Sequence, residues 1–280
     1  MSRAKSTANL VGSLTLAIVL AGCAGKGTQE VALEDMDAEQ IYKLGEAELA
    51  NAKRPDGAIR YFSEVERLYP YSEWAKRALI MEAYGYHKAR KYEDSRATAQ
   101  RYLDTYPGSE DAAYASYLLA LSYYDQIDDV GRDQGLTFQA LQALRAVIEQ
   151  YPDSEYAKSA ILKFDLAFDH LAGKEMEIGR YYLKKEFYSA AINRFRVVVE
   201  QYQTTSQTPE ALYRLIECYL SLGLTDEAQT AGAILGHNFQ STIWYEDAYK
   251  LLTKQGLEMK VRGDSWLAKV YRQVVKGEWL

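Results

Sequence analysis

The sequence predicts an all-α solenoid built from stacked helical hairpins. Ala58, Phe62 and Val65 lie at i, i+4 and i+7, which places them on one face of a helix. Tyr69-Pro70 then ends that helix, because proline lacks an N–H group and disfavours a helical residue before it, and Ser72 can cap the next helix. The same Tyr-Pro-x-Ser-Glu sequence returns at 106–110 and 151–155. Repetition at this period is typical of stacked helix pairs.

Residues 1–22 are predicted to form a lipoprotein signal peptide. Arg3 and Lys5 precede an apolar run, Leu10–Ala21, that is too short to span a bilayer comfortably. Leu20-Ala21-Gly22-Cys23 resembles the lipobox of bacterial lipoproteins, which implies cleavage before Cys23 and acylation of that cysteine. An ordinary secretory signal with an incidental cysteine is the alternative. Because the next residue is Ala24 and not an aspartate, we expect an anchor in the outer membrane that faces the periplasm.

Charge and cysteine content limit the possible functions. Without Arg3 and Lys5 the mature chain keeps 31 of 33 basic residues against 39 acidic ones, a formal charge of −8, which argues against nucleic-acid binding. Cys218 is then the only free thiol, so no intramolecular disulfide can form. It lies in a helical pattern and is predicted to be buried and inert.

No catalytic motif is present. The three histidines are His87, His170 and His237, and they are not at metal-ligand spacing. The chain also lacks His-Glu-x-x-His, a phosphate-binding glycine loop and Gly-x-Ser-x-Gly. We therefore predict a protein that is not an enzyme and that has no metal and no cofactor apart from the covalent lipid on Cys23.

After a polar linker at residues 23–37, whose Asp37 can cap a first helix running to about Asn51, the helices resemble the tetratricopeptide repeat. That repeat is a helix pair with small residues near its eighth and twentieth positions, aromatics between them, and a proline near its thirty-second. The resemblance implies a solenoid of about five hairpins over residues 38–239. The matching residues include Gly45, Ala58, Phe62 and Pro70 in repeat one, Ala83, Ser95, Tyr102 and Pro107 in repeat two, and Ala120, Ala140, Leu144 and Pro152 in repeat three.

The later repeats are predicted to be irregular. Asp125–Gly135 enlarges the third turn into an acidic loop that we expect to be mobile. The first helix of repeat four extends from Glu155 to about Lys185, with a kink near Ala172-Gly173, because no strong breaker interrupts it. Repeat five is weaker. Two further helices, near Ile243–Lys254 and Asp264–Val275, predict a helical cap at residues 240–280 over the last apolar face.

Tyrosine is over-represented, with 24 tyrosines against seven phenylalanines. Tyrosine is enriched in protein-binding surfaces, and first-helix positions off the packing face line the concave side of this repeat. The sequence therefore predicts an aromatic groove with a cationic patch, suited to a peptide that has aromatic side chains and a terminal carboxylate. The predicted groove residues are Tyr42, Glu46, Arg77, Tyr84, His87, Lys88, Tyr114, Tyr117 and Tyr124.

The lipobox, the enlarged third turn, the long helix of repeat four and the segment Gly179–Phe195 together resemble the BamD family, the repeat lipoproteins of the outer-membrane β-barrel assembly machinery. The resemblance covers residues 32–237. It implies a non-catalytic scaffold that binds the POTRA domains of the barrel insertase, joins other assembly lipoproteins and helps to receive unfolded outer-membrane proteins. It also implies a partner interface at the hairpin of repeat four, carried over to Tyr182, Asn193 and Arg194.

Two alternatives remain open from the sequence. One is another lipid-anchored repeat scaffold, which organises peptidoglycan enzymes or other periplasmic partners. The other is a repeat-bearing enzyme, which the missing motifs disfavour.

Overall fold

The structure, a computed structural model, describes residues 32–50, 55–130 and 132–276, with side chains to Gln273. This part of the chain contains a short 3₁₀ helix at Leu33–Asp35, twelve α-helices and no strand, which confirms the predicted all-α class. The 3₁₀ helix belongs to a unit that ends at Met36, and the α-helices form a second unit that begins at Asp37. The α-helices are α1 Ala38–Ala50, α2 Pro55–Leu68, α3 Glu73–Lys88, α4 Tyr92–Thr105, α5 Ala112–Tyr124, α6 Gly135–Gln150, α7 Glu155–Lys184, α8 Tyr188–Gln201, α9 Thr208–Ser221, α10 Thr225–Asn238, α11 Ile243–Lys254 and α12 Trp266–Lys276.

The helices pack as successive helical hairpins, as in tetratricopeptide repeats. Each helix from α1 to α10 packs on the next helix in the chain. The first helices of neighbouring hairpins also contact each other, α1 with α3, α3 with α5 and α5 with α7. This pattern of local contacts is the solenoid that the sequence periodicity predicted.

Serine and aspartate caps begin several helices where the sequence placed them. The Ser72 hydroxyl accepts a hydrogen bond from the backbone N–H of Ala75 at 3.0 Å, and Ser154 accepts one from Ala157 at 3.1 Å. At the start of α1, Asp37 and Gln40 exchange backbone-to-side-chain bonds of 2.8 and 3.2 Å, a capping box. The middle repeat differs, since Ser109 bonds to the Tyr102 hydroxyl at 2.8 Å and α5 begins later, at Ala112.

Small residues let the two helices of a hairpin approach closely. A Cβ added to Gly45 would lie within 3.0 Å of the Phe62 ring, and one added to Gly179 would overlap the Phe195 ring. Both rings are fully buried. Glycine therefore occupies these two positions because a fully packed aromatic ring from the partner helix fills the space.

Helix α7 is 30 residues long and continuous through Ala172 and Gly173. The enlarged loop between α5 and α6 approaches α7 at Gly173, the nineteenth of its 30 residues, where an added Cβ would be 3.6 Å from Val130, an ordinary contact distance. Within that loop Arg132 pairs with Asp128 at 2.6 Å. The long first helix of repeat four is thus confirmed.

The last two helices cover α9 and α10. Ala248 and Leu252 of α11, with Leu267 and Val270 of α12, join the same buried cluster as the residues of α8, α9 and α10. The indole N–H of Trp266 donates to the Tyr219 hydroxyl at 3.0 Å. Helix α12 begins at Trp266, two residues after the predicted start.

Candidate functional site: an aromatic face and the hairpin of repeat four

The first helices of repeats two to four place aromatic rings next to one another, and we call this set the aromatic face. Tyr156 lies 5.2 Å from Tyr114 and 5.6 Å from Tyr117, measured between ring centroids. Burial is the main cause that raises the pKa of the Tyr114 hydroxyl, and the neighbouring Tyr84 and Tyr156 hydroxyls raise it further. The aromatic face consists of Trp74, Tyr84, Tyr114, Tyr117, Tyr124 and Tyr156.

The predicted groove residue Tyr42 belongs to the core. It is 8% exposed, and its ring packs 5.4 Å from Phe62 and 5.1 Å from Trp74. Burial raises the pKa of Tyr42, and its hydroxyl bonds to the exposed Glu46. Tyr42 therefore packs against Trp74 from the core side. Trp74 is the ring at the N-terminal end of the aromatic face.

Both cations of the predicted groove lie over rings of this face. The Arg77 guanidinium is 5.2 Å from the Trp74 ring, and the Lys88 ammonium is 5.2 Å from the Tyr84 ring. No carboxylate in the described ranges forms an ion pair with either cation. Cation–π contacts are worth about 0.5–1 kcal/mol at exposed sites, so both charges remain available to an anionic ligand.

The spacing of these two cations corrects one expectation. Arg77 and Lys88 are eleven residues apart on α3, which is roughly 16 Å along a helix axis. Each also leans over a ring on its own N-terminal side. One carboxylate therefore cannot bond to both residues while each keeps its ring contact, and the patch offers two separate anion positions.

His87 joins repeats two and three by hydrogen bonds. Its Nδ1 lies 3.3 Å from the Ser122 hydroxyl, and its Nε2 lies 3.1 Å from an Asp125 carboxylate oxygen. Burial lowers the pKa of His87, while Asp125 raises it and Lys88 lowers it further. Ser122 is fully buried and also bonds to Ser95 at 2.9 Å, so this Ser–His–Asp string is a structural link without access for a substrate.

The far end of the aromatic face contains two residues that the sequence reasoning missed. Lys163 of α7 lies 4.8 Å from the Tyr124 ring, and Tyr156 fills the space between Tyr114 and Tyr117. Both lie in the first half of α7, which the repeat pattern did not align. Extending the first-helix pattern of the repeat back to Glu155 would have identified Tyr156 as a groove residue.

The predicted partner interface lies at the α7–α8 hairpin. Asn193 is exposed, and Tyr182 is half-buried against the core of the C-terminal hairpins. The Arg194 guanidinium pairs with Glu175 of α7 at 3.1 Å, and its side chain is 42% exposed. The charge of Arg194 is therefore partly balanced within the chain, which the sequence did not predict.

Other predicted features lie elsewhere. Cys23 is outside the described residues. Cys218 is fully buried, and burial raises the pKa of its thiol to about 12, so it is inert. Across the described ranges no His, Cys, Asp and Glu cluster could hold a metal ion, and no helix combines the length and apolarity that a membrane crossing needs.

These observations define a helical-repeat scaffold that carries an aromatic, partly cationic face. The family model described as "YfiO: Outer membrane lipoprotein" matches residues 34–234. The chain is 47% identical over 252 residues to the outer membrane protein assembly factor BamD of Caulobacter vibrioides, an alignment that covers 90% of this chain and 82% of the relative. It is 40% identical over 248 residues to BamD of Rickettsia prowazekii, covering 89% and 98%, and 27% identical over 251 residues to BamD of Neisseria meningitidis serogroup A, covering 85% and 94%.

The chain belongs to the YfiO/BamD family of outer-membrane protein assembly factors. It is accordingly a scaffold protein and not an enzyme. The resemblance drawn from the repeat pattern and the lipobox is confirmed at the level of the family.

Proposed function

We propose that this protein is a lipid-anchored scaffold of the β-barrel assembly machinery, held in the outer membrane by an acylated Cys23 and facing the periplasm. It binds the POTRA region of the barrel insertase beside Arg194 and works with other assembly lipoproteins. Its aromatic face receives the C-terminal segments of unfolded outer-membrane proteins. Family membership supports the assembly role.

The observation that carries the substrate proposal is the pair of cations over aromatic rings without acidic partners in the described chain. The last strand of a barrel protein ends in an aromatic residue with a free carboxylate. Its ring can pack on the aromatic face while the carboxylate meets Arg77 beside Trp74, or Lys88 beside Tyr84. A charge-assisted hydrogen bond contributes about 1.5–3 kcal/mol, so we expect a dissociation constant near micromolar.

The test compares two peptides that differ only in a C-terminal carboxylate or amide, titrated by fluorescence anisotropy. Because the cations are roughly 16 Å apart, only one of them should bind the carboxylate. Either Arg77→Ala or Lys88→Ala should therefore weaken binding of the acid peptide about tenfold, and the double variant should bind it only slightly more weakly than that single variant. Lys76→Ala is the matched control, since Lys76 lies on the same helix but over the Tyr106 ring at 6.0 Å. Equal affinity for acid and amide would place the substrate site elsewhere.

A further inference from the structure

The first half of α7 is covered on one side only. Its buried residues Ala157, Ala160 and Ala167 pack towards α5 and α6. Helix α8 has 14 residues and runs beside the second half of α7, where Gly179 meets Phe195. The place that a second helix occupies in a regular hairpin is therefore open beside residues 155–168. We call this place the helix slot.

Two helices provide the walls of the helix slot. Phe138, Gln142 and Arg145 of α6 lie at i, i+4 and i+7, and Phe164 and Phe168 of α7 face them. Tyr202, which follows α8, closes one end, with its ring 4.9 Å from Phe168. The cavity between these walls measures about 290 Å³.

The surface of the helix slot is strongly apolar for an exposed region. Phe138 is 53% exposed, and Ile161, three residues before Phe164 on the same side of α7, is 44% exposed. Leu162 and Leu166 are also exposed, at 68% and 62%, but each is two residues from Phe164, so they lie on another side of α7 and outside the helix slot. Phe138 and Ile161 form an apolar cluster of the kind that is typical of interaction sites, together with the cavity lining residues Leu141, Phe164 and Phe168.

Arg145 is the one charged residue that lines the cavity within the described chain. Its guanidinium lies 5.6 Å from the Phe164 ring, and no carboxylate in that part of the chain pairs with it. The complementary partner therefore carries an acidic residue at the edge of an apolar surface. Arg194 differs in this respect, because Glu175 already balances it.

We propose that the helix slot binds an amphipathic helix of a partner protein, whose apolar stripe packs on Phe138, Phe164 and Phe168 and whose Asp or Glu pairs with Arg145. A helix fits better than an extended segment, because the walls are two helices whose backbone groups are already hydrogen-bonded, and no sheet edge is present in the described residues. The partner helix completes the missing hairpin. This inference does not depend on the proposed substrate site or on Arg194.

The first experiment measures whether the slot is covered in isolated outer membranes. Because Cys218 is buried and its thiol pKa is raised to about 12, a cysteine introduced by Ile161→Cys would be the reactive thiol of the lipidated protein. We expect maleimide to label this variant at least about tenfold more slowly in isolated outer membranes than in the purified protein. Tyr71→Cys places the thiol at a fully exposed turn residue, and its labelling rate in each preparation serves as the reference. An unchanged ratio of the two rates overturns the proposal.

The second experiment tests the kind of occupant. Two helical peptides carry the same leucine stripe and differ in a Glu or a Lys placed to face Arg145. The Glu peptide should bind the parent protein about tenfold more tightly, Arg145→Glu should reverse this preference, and Phe138→Ser should weaken both peptides at least tenfold. Tyr71→Ser should change nothing. Protection of Ile161→Cys without binding of either peptide overturns the helix assignment. Peptide binding that is unchanged in both the Arg145→Glu and the Phe138→Ser variants overturns it as well.

Discussion

Replacing Gly179 by alanine should destabilise the protein, although alanine is the better helix former. The added methyl group would lie less than 3.0 Å from three ring carbons of Phe195. Ordinary carbon–carbon contacts are about 3.5–4.0 Å, so the ring would have to move by roughly 0.5–1 Å. Phe195 is fully buried in the cluster formed by α7 to α12, so it has no free space to move into.

The magnitude follows from two opposing terms. Overpacking of a filled core costs about 1–3 kcal/mol, and three short contacts favour the upper part of that range. Removing a helical glycine gains about 1 kcal/mol. We therefore expect the free energy of unfolding to fall by about 1–2 kcal/mol, measured by urea unfolding and far-UV circular dichroism.

Gly173→Ala is the matched control in the same helix. Its added methyl would be 3.6 Å from Val130, an ordinary contact, so the helix gain of about 0.5–1 kcal/mol should appear without a packing cost. Gly179→Ala combined with Phe195→Leu should be more stable than the sum of the single changes predicts, because the smaller side chain leaves room for the methyl. A Gly179→Ala protein as stable as the parent would falsify this account of the hairpin crossing.

Two further predictions concern Arg194 and His87. Arg194→Glu should weaken binding of the insertase POTRA region by about 2 kcal/mol, roughly 30-fold. A second change in the same protein, Glu175→Arg, should restore the ion pair within the chain and the melting temperature, but not the binding. If titration with the POTRA region shows that binding is restored as well, Arg194 acts only within the chain. Burial holds the pKa of His87 below its ordinary 6.5 in the folded state, so acidification through that range favours the unfolded chain, which takes up the proton first. The parent protein should therefore lose stability between about pH 7 and pH 5 in a melting series, and a His87→Gln variant with the same slope would show that another group is responsible.

Local sequence rules predicted most of the backbone. Ser72 and Ser154 cap helices because a serine oxygen can satisfy an N–H group wherever the chain restarts after a Tyr-Pro turn. The length of α7 followed from the absence of a breaker. Spacing also identified Phe62 and Phe195 as core residues, since each faces a glycine of its partner helix.

The surfaces were harder to predict because they depend on how far one helix slides along another. Tyr42 has the same local pattern as the half-buried tyrosines of the aromatic face, but Phe62 and Trp74 enclose it. Ile161 has the side chain of a core residue, and the offset of α8 along α7 leaves it exposed. Likewise, no spacing rule pairs Arg194 with Glu175 across two helices.

The continuous helix α7 also has a mechanical meaning. Tyr156 of the aromatic face and Tyr182 of the repeat-four hairpin lie 26 residues apart on it, about 39 Å along one unbroken rod. Because a helix bends little without a breaker, a tilt imposed at one end displaces the other end as well. The proposed peptide-binding and partner-binding ends of the scaffold are therefore joined by one continuous helix, which the α5–α6 loop approaches through Val130 near Gly173.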